Sequence, residues 1–266
     1  MKTKNLFAFS VALAIICTAI RTATIFYTTE STTGFFTARL ASLGIFLTIA
    51  IFLLILINVL FAYFADKKAT IDFKLSKLSG ALSMFCGIIA LLYPVLQPNE
   101  SIIPWQNSLT VFSSFITGVW FLFFGLSAFI DIKIPPICCV FPIFYYLMRL
   151  VLVFTAFSSS ALVAEHVFSL AYRCALLLFM LSFLRICAGC PTPRTLKMFL
   201  PISVASFILT ATSVFSRLII HFSLGDQFIH GDIPVDYDGI ALCLAILPIA
   251  YSILKKNNTH ESETCN

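Results

Sequence analysis

Charge is scarce in this sequence. Asp, Glu, Lys and Arg make up 11% of its 266 residues, whereas an ordinary soluble domain has about 25%. This scarcity excludes a soluble globular domain of usual composition, and a hydrophobic content of 60% excludes a disordered chain, since disordered segments are polar. Segments of about ten residues with alternating polarity, typical of transmembrane β-barrels, are absent too. The class that remains is an α-helical membrane protein.

Recognisable catalytic and cofactor motifs are also absent. The sequence has no HExxH pair for zinc, no nucleophile elbow and no phosphate-binding loop. No two histidines share the middle of an apolar run, where they could hold a haem. The sequence therefore indicates neither a metal nor a cofactor, and it gives no positive sign of an enzyme. A lipid-modifying enzyme that uses Glu165, His166 and His221 at the outer surface stays open.

Two local patterns resemble metal sites but have simpler interpretations. Cys187 and Cys190 form a CxxC pair without a second pair nearby, and Gly189 between them predicts the C-terminal cap of a helix. The acidic segment 225–238 lacks the spacing of a calcium-binding loop. It is predicted to be a solvated loop, or a cap that acts as an electrostatic partner for buried cations. The net charge of +5 does not indicate nucleic acid binding, because the cations flank apolar runs and form no patch with aromatic residues.

Long apolar runs, by contrast, are abundant and carry many of the 29 Phe residues. A helix needs about 20 apolar residues to cross a membrane, and eight segments reach roughly that length. The predicted architecture is therefore all-α, with one eight-helix transmembrane domain over residues 1–254 and a short polar cytoplasmic tail over 255–266. In the last span, Pro248 and the short length predict a kink or a start before Gly239. The predicted spans are about Leu6–Phe26, Leu40–Phe64, Leu78–Leu96, Leu109–Ile130, Ile137–Phe157, Ala164–Ile186, Met198–Phe222 and Gly239–Leu254.

The lysines predict how the spans are oriented. When the spans alternate in direction, all ten lysines fall on the same side as the N-terminus, together with Arg185 and Arg194. Cytoplasmic loops are enriched in Lys and Arg, so both termini are predicted to be cytoplasmic in a multi-pass protein of the cell membrane. A competing interpretation takes the basic start and the apolar run 6–20 as a cleaved signal peptide, which would leave seven spans.

The remaining arginines lie in the outer halves of the spans. Arg149, Arg173 and Arg217 are deepest, and because an arginine that faces lipid is costly, they are predicted to face the bundle interior. Arg21 and Arg39 are closer to the surface, and snorkelling to the lipid headgroups is an equally good interpretation for them.

The three deep arginines predict a site for a small anion that enters from the outer side. A guanidinium group presents a fixed fork of donors that matches a carboxylate or a phosphate. Acidic residues that could neutralise the arginines are few, since no Asp lies within a predicted span and Glu165 is the nearest carboxylate. The alternatives are that Glu165, tyrosines such as Tyr145, Tyr146 and Tyr172, and backbone carbonyls satisfy the arginines, or that these bind lipid headgroups.

A polar stripe on the seventh span leads inward from Arg217. Its members are spaced three and four residues apart, so they share one face of a helix. The stripe predicts a hydrated path, with Thr210 and Ser213 nearest to the arginine. The competing interpretation is close helix packing, for which small hydroxyl residues are common in membranes. The stripe consists of Ser203, Ser206, Thr210, Ser213, Arg217 and His221.

These patterns favour a membrane transporter for a small anionic solute. Arg149, Arg173, Arg217, Tyr145, Tyr172, Ser213, Thr210 and Glu165 are the predicted ligand-binding residues. Without a carboxylate in the middle of a span to carry a proton, the protein would be a uniporter, an exchanger or a subunit energised by a partner. The main alternative is a receptor that binds the same anion and signals through a partner protein; a structural subunit also stays open. The expected partners are the lipid bilayer and the anion.

Overall fold

The described part of the chain is helical. The computed structural model of the protein describes residues 3–29, 36–65, 75–96, 104–130, 135–157, 163–224 and 235–254. Within them, eight helices are long and apolar enough to cross a membrane, as the sequence predicts, and a short 3-10 turn, Pro136–Cys139, precedes the fifth. The helices are α1 Thr3–Thr28, α2 Ala41–Ala65, α3 Lys77–Leu96, α4 Pro104–Leu126, α5 Val140–Phe157, α6 Val163–Cys187, α7 Pro193–Leu224 and α8 Tyr237–Leu254.

Two helices begin more than one turn before their apolar runs. α4 begins at Pro104 and α7 at Pro193, each five residues before the predicted start. Proline favours the first helical position because its φ is already helical and its missing N–H would have no partner there. Hydrophobicity detects the membrane-spanning part of a helix and misses such polar first turns. The predicted tail, 255–266, lies outside the described residues.

Helices α3 to α8 form a closed circuit of neighbours. Each packs against the next along the chain, and α8 returns to pack against α3. α1 and α2 pack against each other and against α7, which therefore contacts four other helices. The interior of the circuit receives side chains from α3, α5, α6 and α8, and this is where the buried charges described below are found.

Glycines hold α3 and α4 together at close range. A Cβ added at Gly87 would lie 2.8 Å from the carbonyl oxygen of Gly118, and one added at Gly125 would lie 2.6 Å from that of Gly80. The two backbones therefore approach too closely for any side chain at these positions. Small residues allow this kind of packing between membrane helices, where burial gives little help because lipid is as apolar as the interface.

Hydroxyl groups join the C-terminal end of α8 to the N-terminal end of α3. Ser79 Oγ and Ser252 Oγ are 2.6 Å apart, and Ser252 Oγ lies 2.9 Å from Ser76 Oγ. Ser79 Oγ also donates to the carbonyl oxygen of Pro248 at 2.8 Å. Each hydroxyl in this cluster has a partner, so the cluster is a closed structural contact.

The beginning of α1 and the end of α8 lie at the same end of the bundle. The rings of Phe7 and Tyr251 meet edge to face with centroids 6.0 Å apart. An even number of alternating spans requires this arrangement.

The predicted helix cap at Gly189 is confirmed. α6 ends at Cys187, and Gly189 adopts φ +72°, which is favourable only for residues without a Cβ. The amide of Gly189 donates to Ile186 O and that of Cys190 to Arg185 O, both at 3.1 Å. This hydrogen-bond pattern is a Schellman motif, so the glycine in the CxxC pair has a structural role.

The surface of the bundle is apolar. Ile15, Phe46, Leu53, Phe61 and Phe112 are each more than half exposed, and they come from three different helices. Apolar side chains on all sides are typical of helices that face hydrocarbon. The fold is that of a multi-pass helical membrane protein.

Candidate functional site

Two buried arginines from neighbouring helices converge on one carboxylate. Arg149 of α5 places Nη2 3.0 Å from Asp236 Oδ1, and Arg173 of α6 places Nη2 3.2 Å from Asp236 Oδ2. Tyr172 donates its hydroxyl to the same Oδ2 at 2.5 Å. Arg149, Arg173 and Asp236 are 2%, 7% and 5% exposed. We call Arg149, Arg173, Tyr172 and Asp236 together the arginine–aspartate cluster.

Asp236 is also the N-terminal cap of α8. Its Oδ1 accepts the backbone N–H of Gly239 at 3.0 Å, and its carbonyl accepts that of Ile240 at 3.0 Å. An aspartate directly before an apolar run is a common start of a helix, because its side chain satisfies an N–H that has no partner within the helix. Any movement of this carboxylate is therefore coupled to the first turn of α8.

Arg149 is held by an aromatic neighbour as well as by charge. Its Nη1 donates to Tyr93 Oη of α3 at 2.9 Å, and its guanidinium carbon lies 4.8 Å from the centre of the Tyr93 ring. Because the arginine is on α5 and the carboxylate at the start of α8, the long side chain links α3, α5 and α8 across the interior of the circuit. Tyr145, one turn below Arg149 on α5, is fully buried beside Tyr93, with ring centroids 6.1 Å apart.

Arg173 is held by its own helix and by α5. Its guanidinium carbon is 5.5 Å from the centre of the Tyr172 ring, and its Nη1 donates to the carbonyl oxygen of Arg149 at 3.4 Å. Arg217 of α7 is 6% exposed and close enough to Tyr172 to act on it electrostatically. Tyr172 is thus within electrostatic reach of all three arginines that are predicted to form one site.

The electrostatics keep the cluster charged. Burial opposes ionisation of Asp236, but the guanidinium groups of Arg149 and Arg173 outweigh it and hold the pKa of this carboxyl well below its usual range. The hydroxyl of Tyr172 and the amide of Gly239 act in the same direction. Asp236 is therefore a carboxylate at any physiological pH.

The structure adds a carboxylate that was not predicted individually. Asp236, which directly precedes α8, forms the ion pairs with Arg149 and Arg173 that the structure describes. Glu165 is predicted as the nearest acidic group, but its side chain lies outside the described residues. The expectation that no Asp lies within a span is wrong, because α8 begins at Tyr237 and Asp238, 4% exposed, lies inside it. Two buried aspartates therefore accompany Arg149, Arg173 and Arg217.

The polar stripe on α7 divides into two parts. Ser203 donates to Phe199 O of its own helix and Ser206 to Ala175 O of α6, both at 2.7 Å, so these two serines serve helix structure and packing. Thr210 and Ser213 are buried, and their hydroxyls have no hydrogen-bond partner in the described part of the chain. They lie two turns and one turn below Arg217. No hydrogen bond joins either of them to the arginine–aspartate cluster.

Arg21 does not reach the surface. It is 1% exposed, and its guanidinium carbon stacks 4.1 Å from the centre of the Phe168 ring of α6. The snorkelling interpretation is therefore wrong for this residue. Arg39 is exposed, as snorkelling requires.

The sequence analysis did not single out Asp236 and Tyr93 as contacts of the arginines, or Asp238 as a buried neighbour of the site. The signal for Asp236 was available, since an Asp just before an apolar run predicts a helix cap. The prediction that the acidic segment 225–238 caps the arginines is confirmed for Asp236, while residues 225–234 lie outside the described part. Tyr93 gave no signal, because only the packing of α3 against α8 brings it to Arg149.

Comparisons with protein-family models, with curated proteins and with solved structures found no match.

Proposed function

We propose that the protein is a membrane transporter for a small monocarboxylate anion, bound by Arg149 and Arg173. The observation that carries the proposal is the convergence of these two arginines, from separate helices, on the single carboxylate of Asp236. An arginine buried within membrane-spanning segments is costly and marks a functional site by default. The pair makes a site whose chemistry suits a carboxylate, and Asp236 occupies it.

Asp236 acts as an internal substitute for the substrate. Its side chain ends in the same group as acetate. Oδ1 accepts a guanidinium N–H of Arg149 and the amide of Gly239, while Oδ2 accepts the Tyr172 hydroxyl and forms an ion pair with Arg173. A free monocarboxylate of similar size can replace it on the arginines, provided that the displaced carboxylate of Asp236 turns to the water of the outer side, because a buried carboxylate without a cation is expensive. Displacement releases the cap of α8 and so couples substrate binding to movement at the start of that helix.

The route from the cluster toward the other side follows buried hydroxyls without partners. The hydroxyls of Tyr146, Thr210, Thr212 and Ser213 make no hydrogen bond in the described part of the chain. A buried polar group without a partner is destabilising, and water or a passing solute supplies one. Pro248 in α8 and Pro201 in α7 remove backbone hydrogen bonds within their helices and are natural hinge points.

The proposal places the cluster on the outer side of a cell membrane. The lysines support this orientation, since they flank the opposite end of the spans. The lipid bilayer then surrounds the apolar surface of the bundle, and the anion binds from the outer side.

The test is uptake by purified protein in liposomes loaded with unlabelled lactate. Radiolabelled lactate, acetate, phosphate and chloride are offered outside, with protein-free liposomes as the measure of passive entry. We expect saturable uptake of the monocarboxylates, and a loss of about tenfold to a hundredfold in Arg149→Gln and Arg173→Gln, the range for charged hydrogen bonds. Arg185→Gln is the matched control, because Arg185 is an exposed arginine at the other end of α6.

Asp236→Asn separates a substitute for the substrate from a purely structural carboxylate. Asparagine still caps a helix but no longer competes as a charge, so we expect a lower KM for the monocarboxylates. Saturable binding without uptake indicates a receptor instead. Wild-type protein that neither binds nor takes up any of the anions contradicts the proposal.

A further inference from the structure

Asp238 is a second buried carboxyl that the arginines do not hold. It lies in the first turn of α8, two residues after Asp236, and is 4% exposed. In the described part of the chain, the ion pairs of Arg149 and Arg173 go to Asp236, and none within 4.0 Å reaches Asp238. A buried carboxylate without its own cation is expensive in a membrane, whereas the protonated acid is not.

The surroundings of Asp238 combine neutral hydroxyl groups with the charges of Arg149, Arg173 and Asp236. The Tyr145 hydroxyl lies close to the carboxyl, and Tyr146 adds a buried hydroxyl that has no hydrogen-bond partner in the described part of the chain. From α7, the apolar Val214 would lie 3.0 Å from a Cβ on Gly239. The titratable and charged groups that interact electrostatically with Asp238 are Cys86 of α3, Tyr145, Tyr146 and Arg149 of α5, Arg173 of α6, and Asp236. Tyr93 acts in turn on Tyr145, and Arg217 of α7 acts on Tyr172, which donates to Asp236.

We propose that Asp238 is the proton-binding residue of the transporter and that it makes transport of the anion a proton symport. The inference rests on the proposed function and adds to it the coupling ion, which the sequence alone did not supply.

The coupling step balances in charge and in atoms. A proton from the outer solution binds one carboxylate oxygen of Asp238, and a monocarboxylate takes the place of Asp236 on Arg149 and Arg173. Both leave on the inner side, where Asp238 returns its proton to the solution. One positive and one negative charge cross together, so the transport is electroneutral.

Asp236 is unsuited to the same role. The two arginines hold its pKa below the usual range, so it keeps its charge while the pH changes. The two neighbouring carboxyls thus have different roles: Asp236 competes for the anion site, and Asp238 carries the proton.

The experiment uses two assays on the same liposomes. Exchange of radiolabelled lactate for internal lactate, without a pH gradient, measures anion transport alone. The initial rate of lactate entry under an inward proton gradient, with the membrane potential clamped and passive entry subtracted, measures coupling. In wild-type protein we expect the gradient to speed entry by up to about tenfold per unit of pH, because the proton concentration changes tenfold. Asp238→Asn is expected to keep exchange and to lose this acceleration.

Asp238→Glu is the matched variant, since it keeps the carboxyl and should restore acceleration by the gradient with a shifted pH profile. Glu and Asn variants that respond alike to the gradient would overturn the proposal. So would acceleration that survives in Asp238→Asn, or wild-type entry driven by a sodium gradient and not by protons. Exchange without any response to a proton gradient rejects the coupling and leaves the transporter standing, whereas absence of exchange in the wild type rejects both.

Discussion

Two regions of the bundle are held together in opposite ways. The first is the α3–α4 interface, and the second is the junction of α5 and α6 with α8. At the first, glycines let two backbones touch, with Gly87 and Gly118 facing each other so closely that no Cβ fits. At the second, long charged and aromatic side chains reach across the interior to the carboxylate of Asp236. The first interface depends on close approach of the two backbones. Under the proposed function, the second offers its arginines to any group with the chemistry of a carboxylate.

From this difference we expect the α3–α4 interface to stay static and the cluster at the start of α8 to be the part that moves. Backbone packing is lost as soon as the helices separate, because dispersion falls off steeply with distance. An ion pair can exchange one carboxylate for another while the arginines stay satisfied. The predictions below test whether the two regions differ in this way.

The largest effect is expected at the arginine–aspartate cluster. Arg149→Gln leaves the buried carboxylate of Asp236 short of one cation, and we expect a loss of about 3 kcal/mol or more in the free energy of unfolding. The double variant with Asp236→Asn should recover part of that loss, because it removes the charge left behind. Unfolding in mixed micelles measures all three variants. Losses that simply add would show that the two side chains do not interact.

A smaller loss is expected at the glycine interface. Gly87→Ala would bring a Cβ within 2.8 Å of the carbonyl oxygen of Gly118, so the helices must move apart, at a cost of about 1–3 kcal/mol. Gly44→Ala is the control, because the three atoms nearest to its Cβ would all belong to the ring of Phe36, which can turn aside. The same unfolding assay applies. Equal stability of the two variants would mean that α3 and α4 are not held at backbone contact.

The hydroxyl cluster at the other end of α8 should matter less. Ser252→Ala removes contacts with Ser76 and Ser79, and we expect a loss of about 1 kcal/mol, the usual net value of a hydrogen bond. Transport should be unaffected, because this end of α8 does not hold the anion. Ser203→Ala, which removes a bond within one helix only, should cost less. A transport defect in Ser252→Ala would assign a function to this end of α8 as well.

The smallest effect is expected from pH. Because the pKa of Asp236 is lower in the folded protein than the ordinary value of about 3.9, its ion pairs stabilise the fold fully above that value. The stabilisation is lost only as the pH falls through the lowered pKa. The stability difference between wild type and Asp236→Asn should therefore stay constant from neutral pH down to about pH 4. A difference that shrinks well above that pH would show that the arginines do not hold the carboxylate.

Much of the fold follows from the sequence, because hydrophobic length decides which segments can cross a membrane. The eight helices lie where the apolar runs predict them, and the early starts at Pro104 and Pro193 are polar turns that hydropathy does not detect. The cap at Gly189 was predictable for a local reason, since a left-handed residue at a helix end favours glycine. The glycine contacts between α3 and α4 were not predicted, because they depend on which helices become neighbours.

The candidate site was predicted in part. The depth of Arg149 and Arg173 in apolar runs correctly indicated that they are buried, since lipid is a poor environment for a guanidinium group. Glu165 was selected by closeness along the chain, a criterion that cannot find a partner from a distant helix; its own side chain lies outside the described residues. Asp236 is 87 residues from Arg149 in sequence, and only the return of α8 to the circuit brings them together.

By itself, the sequence determined that this chain is a bundle of eight membrane helices whose buried arginines require anionic partners. Solvation explains why, since both conclusions depend only on what each residue gains or loses on leaving water. Only the tertiary structure shows that Asp236 forms ion pairs with these arginines. It also shows that a second carboxyl, Asp238, is buried beside them without its own cation. Such pairings depend on distances of a few ångströms between residues far apart in the chain, and these are set only when the helices pack.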